Sequence, residues 1–273
     1  MLGTFLITWR ETIEAALIVG ILLTFLQKIG QRKHFRTIYW GVFWAVVASV
    51  LFGAASNLLS GFLEGDSQEF VEIGILFLAT IVLTHMVVWM HHNAREIKGE
   101  LQQQAEEAIA KSRLWALTMV AFIGVFREGI ETVLFIWGLF LQGAAGESVG
   151  AAVTGGFFGI GLGVLMAWLF FKGFGHLDLR IFFRISGIIL LFMAAGMLSS
   201  GIGKLVANGW VPGLIEPIWN TSWILSERSV IGSLFSGLFG YRSSPSLMQL
   251  AFYLMYFPVT IYMLRRQHHD LAQ

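Results

Sequence analysis

No cysteine occurs anywhere in the chain, which excludes disulfides, thiolate metal sites and redox dithiols. Charge is scarce as well. Asp, Glu, Lys and Arg make up 13% of the 273 residues, where a soluble domain carries about a quarter. The opening stretch, Met1 to Ile7, lacks a basic n-region, and charges interrupt the apolar run that follows. It therefore reads as a first membrane span and not as a cleaved signal. What is present in abundance is apolar: 56% hydrophobic residues, with Gly 31, Phe 24 and Trp 10, at a mean hydropathy of +0.72. These residues come in long runs, the mark of an integral membrane protein.

Seven runs reach the ~20 residues that a span requires. They lie near 3–26, 37–59, 70–91, 114–141, 149–171, 182–204 and 248–265. The expected fold is all-α and polytopic, one transmembrane domain over 1–273. A polar segment rich in Glu, Gln, Ala and Lys, about 93–113, suits a helix at the membrane surface. The long segment 207–247 holds Trp210, Trp219 and Trp223, an interfacial signature, and Ile231 to Tyr241 reads as a short helix along the membrane.

Loop charge predicts the orientation. Lys28, Arg32, Lys33 and Arg36 follow the first run; Arg95, Lys98, Lys111 and Arg113 follow the third; Lys172, Arg180 and Arg184 follow the fifth; Arg265 and Arg266 close the seventh. The alternate loops 60–69 and 142–148 contain no Lys or Arg. The positive-inside rule then puts the N-terminus outside and the C-terminus in the cytoplasm. The outer surface would carry Glu64, Asp66, Glu69, Glu72, Glu147, Glu216 and Glu227 against Lys204, Arg228 and Arg242. Such an acidic face steers cations, and it is equally the plain complement of basic inner loops.

One motif occurs twice inside apolar sequence, as Arg10-Glu11-Thr12-Ile13-Glu14 and Arg127-Glu128-Gly129-Ile130-Glu131. At roughly 3 kcal/mol for each mid-membrane charge, six cost on the order of 18 kcal/mol. That exceeds the whole net stability of a typical fold, about 5–15 kcal/mol. The charges must face one another, water or an ion. The two copies fall in spans 1 and 4, which cross in opposite directions. Small residues recur every four positions in the spans that follow, Gly41, Ala45, Ser49, Gly53, Asn57 and Gly61 in one, Ala151, Gly155, Gly159, Gly163 and Ala167 in the other. Such stripes let helices approach closely in lipid. The expected plan is two inverted three-helix repeats, about 1–92 and 114–206, plus a seventh helix at 248–266. Transporters of this plan bind substrate near midplane, where the halves meet.

Residues three or four apart share a helix face, so Glu11 projects with Glu14 and Glu128 with Glu131. Arg10 reaches Glu14, and Arg127 reaches Glu131. Four carboxylates and two guanidiniums sum to −2, and a desolvated cavity of that charge lined with oxygen suits a hard multivalent cation. Close carboxylates also take up protons, which metal binding would expel.

These residues resemble the oxidase-dependent iron permease family, particularly its bacterial Efe-type inner-membrane members. The doubled motif carries the likeness, with Thr84-His85-Met86-Val87-Val88-Trp89-Met90 and the stretch from Gly232-Ser233-Leu234-Phe235 to Phe239-Gly240-Tyr241. The resemblance implies a permease importing iron as its transported substrate, with no organic cofactor. The ion would be Fe(III), supplied after oxidation by an extracellular or periplasmic iron-oxidising or iron-delivering partner. It implies a multi-pass protein of the inner (plasma) membrane, in contact with lipid and open to homo-oligomerisation, with no nucleic-acid partner. Glu11, Glu14, Glu128 and Glu131 would hold the metal, with Arg10 and Arg127 as charge partners and no catalytic residue. Thr12 departs from the usual Gly and is expected to alter packing.

Glu69 and Glu72 are candidates for an outer entrance, and similar acidic pairs occur in the family. His85 is a candidate accessory ligand, against a packing role. His91 and His92 read as part of the basic inner boundary, and the ten Met residues read as packing. Two alternatives stand beside iron import. One is transport of another divalent metal such as manganese or lead. The other is an intramembrane di-iron carboxylate oxidoreductase, although no His follows any Glu by three residues, as the helical-bundle sites require.

Overall fold

A computed structural model of the chain describes residues 1–62, 65–93, 97–110, 114–142, 149–172, 179–227 and 229–270. Expectations placed on Glu64, Arg95, Lys111, Arg113, Glu147 and Arg228, and on the side chains of His91, His92, Lys98 and Arg180, lie outside the described residues. Among those described, every regular element is helical.

The described residues form nine α-helices, seven of them on the apolar runs: α1 (Leu2–Lys28), α2 (Phe35–Gly61), α3 (Asp66–Asn93), α4 (Ile97–Ala110), α5 (Leu114–Leu141), α6 (Val149–Phe171), α7 (Leu179–Ala207), α8 (Val230–Phe239) and α9 (Leu247–Asp270). In lipid the backbone must satisfy its own hydrogen bonds, so a long apolar run becomes a helix. Five of them, α2, α3, α6, α7 and α9, are long and apolar enough to cross a membrane. Helices α1 and α5 are as long, 27 and 28 residues. They fall outside that set because each carries its motif charges in mid-helix. The polar segment forms α4 and the short apolar stretch forms α8.

Helix pairing positions everything else. The most extensive contact is α1 on α6, nearly matched by α2 on α5, followed by α3 on α7 and then α1 on α5. Gly155 meets Met1, Gly159 meets Phe5 and Thr8, and Gly163 meets Thr12, so α1 and α6 run parallel with backbones almost touching. Gly41 on the Thr118 carbonyl, Ser49 on Gly129 and Gly53 on Val133 make α2 and α5 parallel likewise. The sequence stripes thus mark two equivalent seams. Gly3 lies against Leu139 and Gly124 against Ile18, so α1 and α5 cross antiparallel. The departure at Thr12 is absorbed locally: Thr12 faces Gly163 in one seam, while in the other the glycine is Gly129 and the larger residue Ser49. The bulk has changed sides.

Two buried apolar layers flank the motifs. One contains Ile7, Leu76, Leu83, Phe135, Leu139 and Met193. The other contains Ile18, Leu22, Phe25, Leu26, Leu117 and Ala121. On both α1 and α5 the charges lie between these layers.

The connection from α7 to α9 is folded. Ser229 caps α8 by accepting from the Gly232 N–H at 3.0 Å, and Gly240 closes it at φ 67°, a left-handed cap pressed on Gly196. Arg242 donates to Glu227 Oε2 at 3.1 Å, to Ser200 Oγ at 2.6 Å and to the Gln142 carbonyl. Glu227 Oε1 accepts from the Ser243 N–H at 2.7 Å and from its hydroxyl at 2.9 Å. Burial pushes the Glu227 carboxyl up, but the Ser243 donors and the Arg242 charge outweigh it and hold the group below the usual range.

Gly159→Leu should force α1 off α6 and lower stability by about 1–3 kcal/mol or more, read as thermal unfolding in detergent. Gly161→Leu, two residues away with open space around it, should leave stability near wild type. The clasp gives a pH prediction of defined sign. A carboxyl held low stabilises fully above its unfolded value, about 4.3 for Glu, and that stabilisation vanishes as pH falls through the lower folded value. The fluorescence of Trp219 and Trp223 should therefore report loosening of this segment only below about pH 4.3, and Glu227→Gln should show the loosened signal at neutral pH.

Candidate metal centre

The antiparallel crossing of α1 on α5 sets the two motifs facing each other. One carboxylate oxygen each from Glu11, Glu128 and Glu131 comes together within 4.8 Å, with Glu11 and Glu128 buried and Glu131 nearly so. Oε2 of each of the three is buried without a hydrogen-bond partner. Unpaired buried carboxylate oxygens are expensive. A cation held by these three carboxylates would repay that penalty. Glu14 stands outside this trio. Its Oε1 forms an ion pair with Arg10 Nη2 at 2.7 Å, at an angle unlike that of a hydrogen bond. It remains close enough for Glu128, Glu131 and Arg127 to act on its charge.

The two arginines are held differently. Arg10, 2% exposed, donates from Nη1 to Glu11 Oε1 at 2.9 Å. Behind it stand two thioethers of α3: Nη1 contacts Met86 Sδ at 3.0 Å and Nη2 contacts Met90 Sδ at 3.5 Å. Arg127, 54% exposed, donates from Nε and Nη2 to Glu128 Oε1 at 3.0 and 2.7 Å, and its Nε lies 3.6 Å from Glu131 Oε1. Its guanidinium stacks over Trp89 at 5.8 Å. The α3 segment from Met86 to Met90 thus touches both motif arginines. Sequence reasoning assigned all the methionines to packing, and for this pair that is incomplete. Their i,i+4 spacing in an otherwise apolar span was the available signal.

The other candidates sit elsewhere. Glu72 Oε2 is paired with Lys204 Nζ at 2.5 Å, and its Oε1 accepts from Gln68 at 2.9 Å; Glu69 accepts from Asn208 at 2.9 Å. Both tie the start of α3 to the end of α7 and are remote from the trio. His85 is exposed on α3, not turned to the carboxylates.

A family model described as "Iron permease FTR1 family" matches residues 1–265. The chain belongs to that family. The permease is 31% identical over 259 residues to the Ferrous iron permease EfeU of Escherichia coli O6:K15:H31 (strain 536), covering 94% of this chain and 92% of that one. Its counterpart of the same name in Yersinia pestis is 30% identical over 258 residues, covering 94% and 90%. A protein of Archaeoglobus fulgidus is 30% identical over 285 residues, covering 100% and 98%. No solved structure matches. Membership of this family, with five helices apolar enough to span, makes the chain a multi-pass membrane protein of an iron permease family.

Arg10→Ala strands Glu11 and Glu14 in the interior without a counter-charge, so stability should fall by about 3–5 kcal/mol. Lys204→Ala, at the less buried Glu72 pair, should cost about 1 kcal/mol or less. Chemical unfolding of both variants in detergent checks the ordering.

Proposed function

We propose that this permease imports iron through a carboxylate site made by the two motifs, with Glu11, Glu128 and Glu131 as ligands and Glu14 beside them. The observation that carries this reading is that Glu11, Glu128 and Glu131 each bring one carboxylate oxygen within 4.8 Å of the others and each keep a buried, unpartnered Oε2. Hard oxygen donors suit iron. Arg10 and Arg127 reduce the charge of the empty site to −2, and a divalent ion brings it to neutrality.

In this reading seven helices cross the plasma (inner) membrane, with the N-terminus outside. The halves α1–α3 and α5–α7 are inverted repeats and α9 is the seventh span. Exchanging the halves maps the α1–α6 seam onto the α5–α2 seam and leaves the antiparallel α1–α5 pair on itself, which supports the inversion. The ion enters from the outer side, binds between α1 and α5, and leaves when the halves rock. A partner at the outer face delivers or oxidises the iron.

The oxidation state has two readings. Family resemblance implies Fe(III) after oxidation, whereas the Escherichia and Yersinia relatives are named ferrous iron permeases. Electroneutrality of a −2 site favours Fe(II). Transport of manganese or lead by the same scaffold shares the oxygen ligands, and competition against iron uptake separates it.

The test is uptake into liposomes containing the purified protein, with Fe(II) and Fe(III) offered separately. Glu131→Gln and Glu128→Gln should each reduce iron uptake by at least about tenfold, the scale on which lost metal-site partners register, while insertion is retained. Uptake at the wild-type rate in both would overturn the site.

A further inference from the structure

The guanidinium of Arg10 occupies a cation cage of mixed donors. Nη1 lies between Glu11 Oε1 at 2.9 Å and Met86 Sδ at 3.0 Å, and Nη2 between Glu14 Oε1 at 2.7 Å and Met90 Sδ at 3.5 Å. Two oxygens and two sulfurs therefore surround one positive group that is sealed from solvent. Thioethers are poor partners for a guanidinium, since sulfur is only a weak hydrogen-bond acceptor. A buried arginine is ordinarily satisfied by carbonyls or carboxylates. Here Arg10 Nε has no partner at all. The sulfurs are well suited to something else. Thioether is a soft, polarisable ligand that prefers the softer and lower-valent transition metals, whereas carboxylate alone also accepts manganese, magnesium and calcium.

We propose that Met86 and Met90 are metal ligands: together with Glu11 and Glu14 they form a second, softer station for Fe(II), adjacent to the Glu11–Glu128–Glu131 trio and sharing Glu11 with it. The inference rests on the carboxylate reading above and deepens it by assigning the selectivity. Arg10 holds the station in the absence of metal. When iron arrives, the guanidinium swings toward Glu128 and Glu131, each of which brings a carboxylate oxygen within 4.8 Å of one on Glu11. The sum over the six motif charges and one Fe(II) is zero whichever cation occupies which half. Fe(III) and Mn(II), both harder, gain little from sulfur, so the pair discriminates in favour of ferrous iron.

The experiment is anaerobic equilibrium binding of Fe(II) and of Mn(II) to the full-length protein in lipid nanodiscs. Met86→Leu and Met90→Leu conserve volume and apolarity, so folding is little disturbed. The double variant should lose about tenfold or more in Fe(II) affinity, at least what loss of a supporting metal-site partner costs, with Mn(II) affinity unchanged. An unchanged ratio of Fe(II) to Mn(II) affinity, whether both fall or neither does, overturns the inference and leaves the pair as a cradle for Arg10. Wild-type protein that binds neither metal overturns the carboxylate reading itself. X-ray absorption at the iron edge on wild-type protein carrying selenomethionine needs no variant. A selenium neighbour at bonding distance supports the station, and a shell of oxygen alone defeats it.

Discussion

Carboxylates that face each other across a lipid-embedded helix pair must be neutralised, and that single electrostatic demand organises this molecule. It accounts for an arginine beside each glutamate pair, for the antiparallel crossing of α1 on α5, and for the glycine seams that press α6 and α2 onto the outer sides of that crossing. Without close backbones the charged layer would open to hydrocarbon. The seams hold it shut with small residues and van der Waals contact, the main source of helix affinity in a membrane.

The helices were legible in advance because long apolar runs can be read from composition. The expected runs and the observed helices differ by a few residues at their ends, and the polar segment at 93–113 and the short helix near 231–241 both materialised as α4 and α8. The ion pairs Arg10–Glu14 and Arg127–Glu131 followed from i,i+4 geometry. Three things did not follow. Each motif arginine hydrogen-bonds the glutamate next to it, Glu11 or Glu128, and not the one four residues on. Glu69 and Glu72, read as a possible entrance, are tied to Asn208 and Lys204 by a contact between distant segments. And the role of Met86 and Met90 depends on α3 lying beside α1, which periodicity within α3 cannot reveal.

The two halves are alike in motif but unlike in environment. Arg10 is enclosed, with two sulfurs behind it, while Arg127 stands more than half exposed over the face of Trp89. Two motif copies in identical surroundings would be interchangeable, and the unequal arginine surroundings remove that degeneracy. The Met86–Met90 segment touches both, so a shift of α3 would alter both counter-charges together.

If iron passes between α1 and α5 as proposed, the apolar layers on either side of the motifs have a consequence for throughput. A naked charge crossing such a layer meets a Born barrier of order 20 kcal/mol, too high for a stream of ions to flow through a static protein. Each ion must instead wait for a layer to part. Turnover is then set by the tempo of helix movement, and the cell gains an importer that saturates rather than a pore that leaks.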